Sequence, residues 1–301
     1  MSISRKLRAY LMLTRPHNLV ASLITTLIGW LTVYTAVHDA PLNPLYPMVT
    51  VALVAASGYV INDYYDAAVD AINKPYRPIP SGVVSRREAL VFSLVLLIPA
   101  FILPCFSGPL SLAFVVLNTA LLYAYSYRIK ELGFLGNIVV AFEGAASIIY
   151  GGLSLAEACG RVALVKAALI PSLYAFLLLL GREVVKTIED YRADAVRDVK
   201  SLPRVLGIEK AGIVAATILA SVIAISPIPY LLLGYGPPYL ALALATDIII
   251  AYSIARLVRM SKMGVEEAER TAAKLRSWLK VAIFVGSLAF LIDLVLRAIG
   301  V

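Results

Sequence analysis

The run LVASLITTLIGWLTVYTAV, Leu19–Val37, carries no charged residue over a length that crosses the hydrocarbon of a bilayer as a helix. It recurs in kind. Further apolar runs lie at Pro47–Ile61, Glu88–Leu103, Leu110–Tyr127, Phe134–Tyr150, Leu164–Val185, Gly212–Leu233, Pro238–Ile254 and Trp278–Ile299. Lipid offers no partner for backbone N–H and C=O groups, so only helices and closed barrels span it. A barrel would alternate apolar and polar residues, and these runs are apolar throughout. The fold class expected is therefore all-α: a polytopic membrane protein, a bundle of about nine transmembrane helices in a single domain over 1–301. At 60% hydrophobic residues the chain lies above the soluble range of about 45–50%.

Charge sorts the connections into two sets. HDAPLNPLY, FSGP and GYGPP hold no Lys or Arg, whereas the segment before the first run and those after the second, fourth, sixth and eighth hold nearly all of them. The positive-inside rule puts the basic set, and the N-terminus with it, in the cytoplasm, at the cell membrane. The net charge of +8 is on this reading mostly a topology signal. No basic–aromatic interleaving points to nucleic acid, and nothing implies a protein partner. Cys105 and Cys159 lack metal-ligand spacing and read as packing residues. The first run is long enough to be a retained span rather than a signal peptide.

Two acidic clusters then need a use, because ionised groups beside hydrocarbon are costly. In NDYYDAAVD, Asn62, Asp66 and Asp70 recur every four residues, on one helical face. In REVVKTIEDYRADAVRDVKSLP, Asp190, Asp194 and Asp198 repeat that spacing, with Glu183 and Glu189 nearby. Both clusters follow a span on the basic side. Four spans separate them, as in a bundle of two similar halves, although the halves share little at residue level. Facing carboxylates make a hard oxygen site suited to Mg2+, which keeps waters and binds substrate phosphates. Two histidines and no Cys/His cluster argue against zinc or iron. The plainer alternative is a pair of solvated helix ends whose acids pair with neighbouring Arg and Lys. Lys74, Arg77, Lys130 and Lys186 lie among the acids, and Mg2+ with such cations forms a diphosphate site. Pro75, Pro78 and Pro80 predict that the segment after the first cluster leaves the helix as a defined loop that covers the site.

NDYYDAAVD followed by NKPYRPIPSG, then EDYRADAVRDVKSLP, with the early TRPHN and YAYSYRIK, resembles the UbiA-type intramembrane prenyltransferases over nearly the whole chain. The resemblance implies a nine-span bundle, an active site at the cytoplasmic side and Mg2+-dependent prenyl transfer from an isoprenyl diphosphate. The family's first motif maps onto Asn62, Asp63, Asp66 and Asp70, and its second onto Asp190 and Asp194. Many relatives carry Asp where Thr187 stands. On this combined reading Asn62, Asp66, Asp70, Asp190 and Asp194 hold metal. Asp66, Asp194, Arg77 and Lys130 carry the chemistry. Arg15, Asn18, Lys74, Tyr125, Ser126, Lys186 and Asp198 bind substrate, with Arg15, Tyr125 and Ser126 placed by resemblance. Glu143 and Asp293, both inside spans, stay outside the assignment, and Asp293 has Arg297 four residues on as a candidate partner.

The acceptor is a lipid phosphate or an aromatic ring. NKPYRPIPSG looks most like the family branches that make archaeal ether lipids and chlorophyll. The chain has no Gln, and depletion of thermolabile side chains is a hint of a thermophile. Together these favour geranylgeranyl diphosphate as donor and geranylgeranylglyceryl phosphate as acceptor. A 4-hydroxybenzoate-type aromatic prenyltransferase is the alternative. A transporter fits less well, because transport sites lie near the midplane and these acids sit at span ends.

Overall fold

The computed structural model describes residues 3–38, 40–196 and 199–300, and among them every regular element is helical. Among the described residues, nine helical segments are long and apolar enough to cross a membrane, from Pro16–Val37 to Val265–Ala298. The nine expected spans are all present. The largest difference is the last, which begins thirteen residues before Trp278. The residues divide into two compact units, 1–128 with 147–165, and 129–146 with 166–301.

The first unit contains α1 (Ile3–Thr14), α2 (Pro16–Val37), α3 (Leu45–Tyr65), α4 (Ala67–Asn73), α5 (Arg86–Ile102) and α6 (Pro109–Tyr127). It also takes the second half of α7 (Phe134–Ala158). Here α3 is the central element, packed against α1, α2, α5 and α6. The helix ends show why the sequence folds as it does. Ser85 and Glu88 form a capping box at the start of α5, and Lys6 of α1 pairs with the same glutamate. Glu157 accepts from the N–H groups of Leu110 (2.8 Å) and Ser111 (2.7 Å), two donors that α6 cannot satisfy internally. Between α2 and α7 the backbones themselves touch. A methyl group on Gly29 would collide with the carbonyl of Ile148, and one on Gly151 with the carbonyl of Thr26. Ser147 Oγ donates to Thr25 Oγ1 across the same seam at 2.7 Å. Small residues that bring helices this close are a membrane packing device.

The second unit contains α8 (Leu169–Glu189), α9 (Tyr191–Val196), α10 (Leu202–Leu206), α11 (Ile208–Ile225), α12 (Ile228–Leu232), α13 (Pro237–Val258) and α14 (Val265–Ala298). Within it α8 packs on α11 and α14, and α13 on α14 and α11. Asp293, buried in α14, accepts the N–H of Gly236 at 2.7 Å and so fixes the start of α13. Arg297 lies over the Tyr235 ring at 5.0 Å, so the sequence's candidate pair for Asp293 is replaced by a backbone anchor and a cation–π contact.

Candidate active site

In the first unit α3 ends one residue before Asp66, whose φ of −80° and ψ of 0° bend the chain before α4 resumes. The i→i−4 ladder runs on through the bend. Asp66 N–H bonds Asn62 O at 2.9 Å, Asp70 N–H bonds Asp66 O at 2.8 Å, and Lys74 N–H bonds Asp70 O at 2.7 Å. Asn62 and Asp66 accordingly stay one turn apart, with Asn62 Nδ2 donating to Asp66 Oδ2 at 2.9 Å.

Asp63, adjacent to that face, is the hub of the unit's ion pairs. It is buried, and its Oδ1 accepts from Arg15 Nη2 at 2.5 Å and Arg77 Nη1 at 3.1 Å. Arg77 Nη1 also donates to the buried Asp70 Oδ2 at 2.5 Å. The proline-rich segment makes this possible. It folds as turns, with Arg77 N–H on Lys74 O, Ser81 N–H on Arg77 O and Val84 N–H on Pro78 O. Ile79 and Val84 plug into an apolar cluster with Leu13, Val60 and Ala89. That anchoring returns Arg77 to the end of α3. Arg15 arrives from the α1–α2 junction in the left-handed region, φ 47° and ψ 62°, directly before Pro16. Its guanidinium lies 5.1 Å from the centre of the Tyr59 ring, and Asn18, in the first turn of α2, donates its N–H to Arg15 O at 2.8 Å. Lys74 is exposed at the end of α4. Tyr125 and Ser126 occupy the last turn of α6, with Ser126 buried and its Oγ without a hydrogen-bond partner.

The second unit repeats the bend. Asp190 follows α8 with φ −85° and ψ 9°, and α9 resumes beyond it. Asp190 N–H bonds Lys186 O at 3.0 Å, and Asp194 N–H bonds Asp190 O at 2.7 Å. Asp194 is buried, and its carbonyl accepts from Arg204 Nη1 and Val199 N–H, both at 3.0 Å. Lys186 Nζ lies 3.6 Å from Glu183 Oε2, while Arg182 Nη1 donates to Glu183 Oε1 at 2.6 Å. Thr187 Oγ1 donates to the Val184 carbonyl at 2.7 Å. Lys130 lies in a short turn before α7, which Gly133 and Gly136 allow to pack closely. A methyl at Gly136 would stand 3.0 Å from Ile129 O, and one at Gly133 would meet the Lys200 carbonyl. Asp198 lies outside the described residues.

Two residues that the sequence reading passed over hold α9 and the end of α8. Glu269 of α14 accepts from Arg192 N–H at 3.0 Å and Arg192 Nε at 2.7 Å. That hydrogen bond is the main cause holding the Arg192 pKa above its ordinary value. Arg276 Nε lies 2.9 Å from Glu189 Oε2. Glu269 and Arg276 are seven residues apart, two helical turns on one face, and that spacing was the available signal. Asp247, inside α13, is a third intramembrane acid beside Glu143 and Asp293, and Ser226 Oγ donates to it at 2.5 Å. Glu143 Oε1 is buried without a hydrogen-bond partner.

Within each unit, no three His, Cys, Asp or Glu side chains among the described residues gather closely enough to hold a metal ion by themselves. What each unit offers is a pair one turn apart, Asn62 with Asp66 and Asp190 with Asp194. All four bear hard oxygen donors, and Asp63 and Asp70 are already committed to arginine. A pair of this kind fits Mg2+, which takes one or two carboxylates and completes its shell with water and phosphate oxygens.

Residues 22–279 match the model of the UbiA prenyltransferase family. The chain is 44% identical to digeranylgeranylglyceryl phosphate synthase of Hyperthermus butylicus, over 96% of its own length and 97% of that protein's. It is 38% identical to the enzyme of the same name from Ignicoccus hospitalis, over 97% and 94%. A solved structure described as digeranylgeranylglyceryl phosphate synthase in membranes matches with a TM-score of 0.77 and 31% identity, over 96% of this chain and 99% of that one. A UbiA homolog from Archaeoglobus fulgidus, bound to GPP and Mg2+, shares the fold with a TM-score of 0.62 at 19% identity, over 92% and 99%.

Proposed function

Since the chain belongs to the UbiA prenyltransferase family, we propose that it moves a geranylgeranyl group from geranylgeranyl diphosphate to geranylgeranylglyceryl phosphate, closing the second ether bond of an archaeal lipid. The observation that carries the choice of substrates is the end-to-end similarity to relatives named for that product.

The donor's C1–O bond breaks with its electron pair leaving on the diphosphate, so the site must favour negative charge at the departing group. Arg15 and Arg77 in one unit and Lys130 and Lys186 in the other carry fixed positive charge for this task, with Lys74 at the exposed end of α4. Asn62, Asp66, Asp190 and Asp194 are the residues that would hold Mg2+, which when bound neutralises diphosphate oxygens. Asp70 serves the same site through Arg77, whose guanidinium it fixes. The acceptor hydroxyl oxygen bonds to C1 and gives up its proton. Tyr125 and the buried Ser126 are assigned to the pocket, and the folded 74–84 loop limits water that would otherwise capture the allylic cation.

The test is purified protein supplied with geranylgeranyl diphosphate and Mg2+ and, in parallel, geranylgeranylglyceryl phosphate or 4-hydroxybenzoate. Diphosphate release with the lipid phosphate alone is expected. Release with the aromatic acceptor alone would overturn the substrate choice. The same reading puts the protein in the cell membrane with its N-terminus and both motifs cytoplasmic. A Ser81→Cys variant made in a Cys105→Ala/Cys159→Ala background, which removes the two free native thiols, is accordingly expected to react with an impermeant maleimide only when the cytoplasmic face is open to it, and labelling from the outside of intact cells contradicts that orientation.

A further inference from the structure

We infer that Asp63 is a positioning residue: one buried carboxylate oxygen that gathers the guanidinium groups of Arg15 and Arg77 and presents both to a single anion, the diphosphate of the donor. The inference rests on the prenyltransferase reading and adds to it a residue that binds neither metal nor substrate.

The geometry carries it. Arg15 and Arg77 come from segments 62 residues apart, the α1–α2 junction and the proline loop, yet both donate to Asp63 Oδ1, at 2.5 and 3.1 Å. Two guanidinium groups sharing one oxygen repel each other, and they stay together because the carboxylate between them is negative. The exposures are graded. Asp63 has 6% of its side chain exposed, against 25% for Arg15 and 22% for Arg77, so the acid lies beneath and the cations reach outward. Each guanidinium has five N–H groups and offers one nitrogen to this network. The remaining edges suit the oxygens of a phosphate, for which arginine is a geometric match. The Arg15 backbone is held in a conformation that a non-glycine residue rarely adopts, φ 47°. Such strain persists where the surroundings over-determine it and concentrates at ligand-binding sites.

The two arginines depend on Asp63 unequally. Arg77 is also held by Asp70 at 2.5 Å, whereas Arg15 has the Tyr59 ring as its other contact. Removing the Asp63 charge is therefore expected to silence Arg15 more than Arg77, which a general loss of stability would not do.

The experiment measures binding of inorganic pyrophosphate with Mg2+ to the full-length protein by calorimetry, alongside kcat and KM for geranylgeranyl diphosphate. Asp63→Asn and Arg15→Met are each expected to raise the pyrophosphate Kd about tenfold, a change of about 1.4 kcal/mol. The double variant is expected to match Arg15→Met alone, because the two side chains act as one unit. The combination with Arg77→Met is expected to be worse than either single change. Asp63→Glu, which keeps the charge but displaces it by a methylene, is expected to raise Kd at least about threefold, and it carries the test if Asp63→Asn does not fold. An unchanged Kd in Asp63→Asn or Asp63→Glu overturns the inference. So does a roughly hundredfold rise in Asp63→Asn/Arg15→Met, the product of independent effects. A wild-type protein that binds no pyrophosphate overturns the functional reading and takes the inference with it.

Discussion

Asp66→Ala is expected to reduce prenyl transfer by about a thousandfold or more while leaving the protein folded, and Asp194→Ala to do the same. The size follows from what is lost. Charge develops on the departing diphosphate in the transition state, and removing one preorganised group that stabilises such charge costs about a hundred- to a thousandfold in other enzymes. Removing a carboxylate that would hold a divalent cation weakens the cation's contribution as well as its own. The fold should survive Asp66→Ala because the backbone bonds at the bend, Asp66 N–H to Asn62 O and Asp70 N–H to Asp66 O, do not use the side chain. At Asp194 likewise, the backbone bonds from Asp194 N–H to Asp190 O and from Val199 N–H to Asp194 O do not use the side chain. Turnover of geranylgeranyl diphosphate, measured beside the thermal midpoint, checks both. Near-normal turnover in either variant at an unchanged midpoint removes that residue from the site.

Gly29→Leu is the second large effect, and it acts on stability. Overpacking a close-packed interior commonly costs about 1–3 kcal/mol, when neighbouring side chains can move aside. At Gly29 the obstacle is the Ile148 carbonyl and the Gly152 nitrogen, backbone of α7 that cannot rotate away. The loss is therefore expected at or beyond the upper end of that range, with most of the protein aggregated after detergent extraction. Gly29→Ala is expected to lower the midpoint measurably, since even one methyl has no room. Gly264→Ala is the control: nothing lies within 4 Å of its added Cβ, and its φ of −67° is ordinary. Size-exclusion profiles and melting curves of the three variants decide the matter. A monodisperse Gly29→Leu with a wild-type midpoint would mean that α2 and α7 are not in backbone contact.

Much of the fold was legible because hydrophobicity in lipid is an unambiguous signal. Each expected span has its helix, and the family resemblance rested on motifs that are contiguous in sequence. The misjudged boundary has a physical cause. Residues 265–277 are helical but charged, and apolar length alone excludes them. Glu266 and Arg270 pair within the segment, but Glu269 and Arg276 are answered by partners far away in sequence, Arg192 and Glu189. No window on one segment contains that information. Of the candidate site, the four-residue rhythm survives as geometry through both bends. Asp63 was mapped onto the family motif but given no role of its own, for the same reason the others stood out: one residue on is about 100° around the helix. A rule built on one face ignores it, although it sits where Arg15 and Arg77 converge.

The bends at Asp66 and Asp190 bear on how the protein matches its bilayer. The helix before each bend, α3 or α8, has 21 residues. At 1.5 Å per residue that is about 31 Å, the thickness of a typical hydrocarbon layer. The backbone bonds run on through each bend, so the group that hydrocarbon penalises is the carboxylate there, tolerable where water reaches it and costly where it does not. Each interruption thus acts as a depth stop. A thicker bilayer would draw the bend and its carboxylate into hydrocarbon, and a thinner one would leave apolar turns in water. Bilayer thickness becomes in this way a parameter of the chemistry, set by where two helices end.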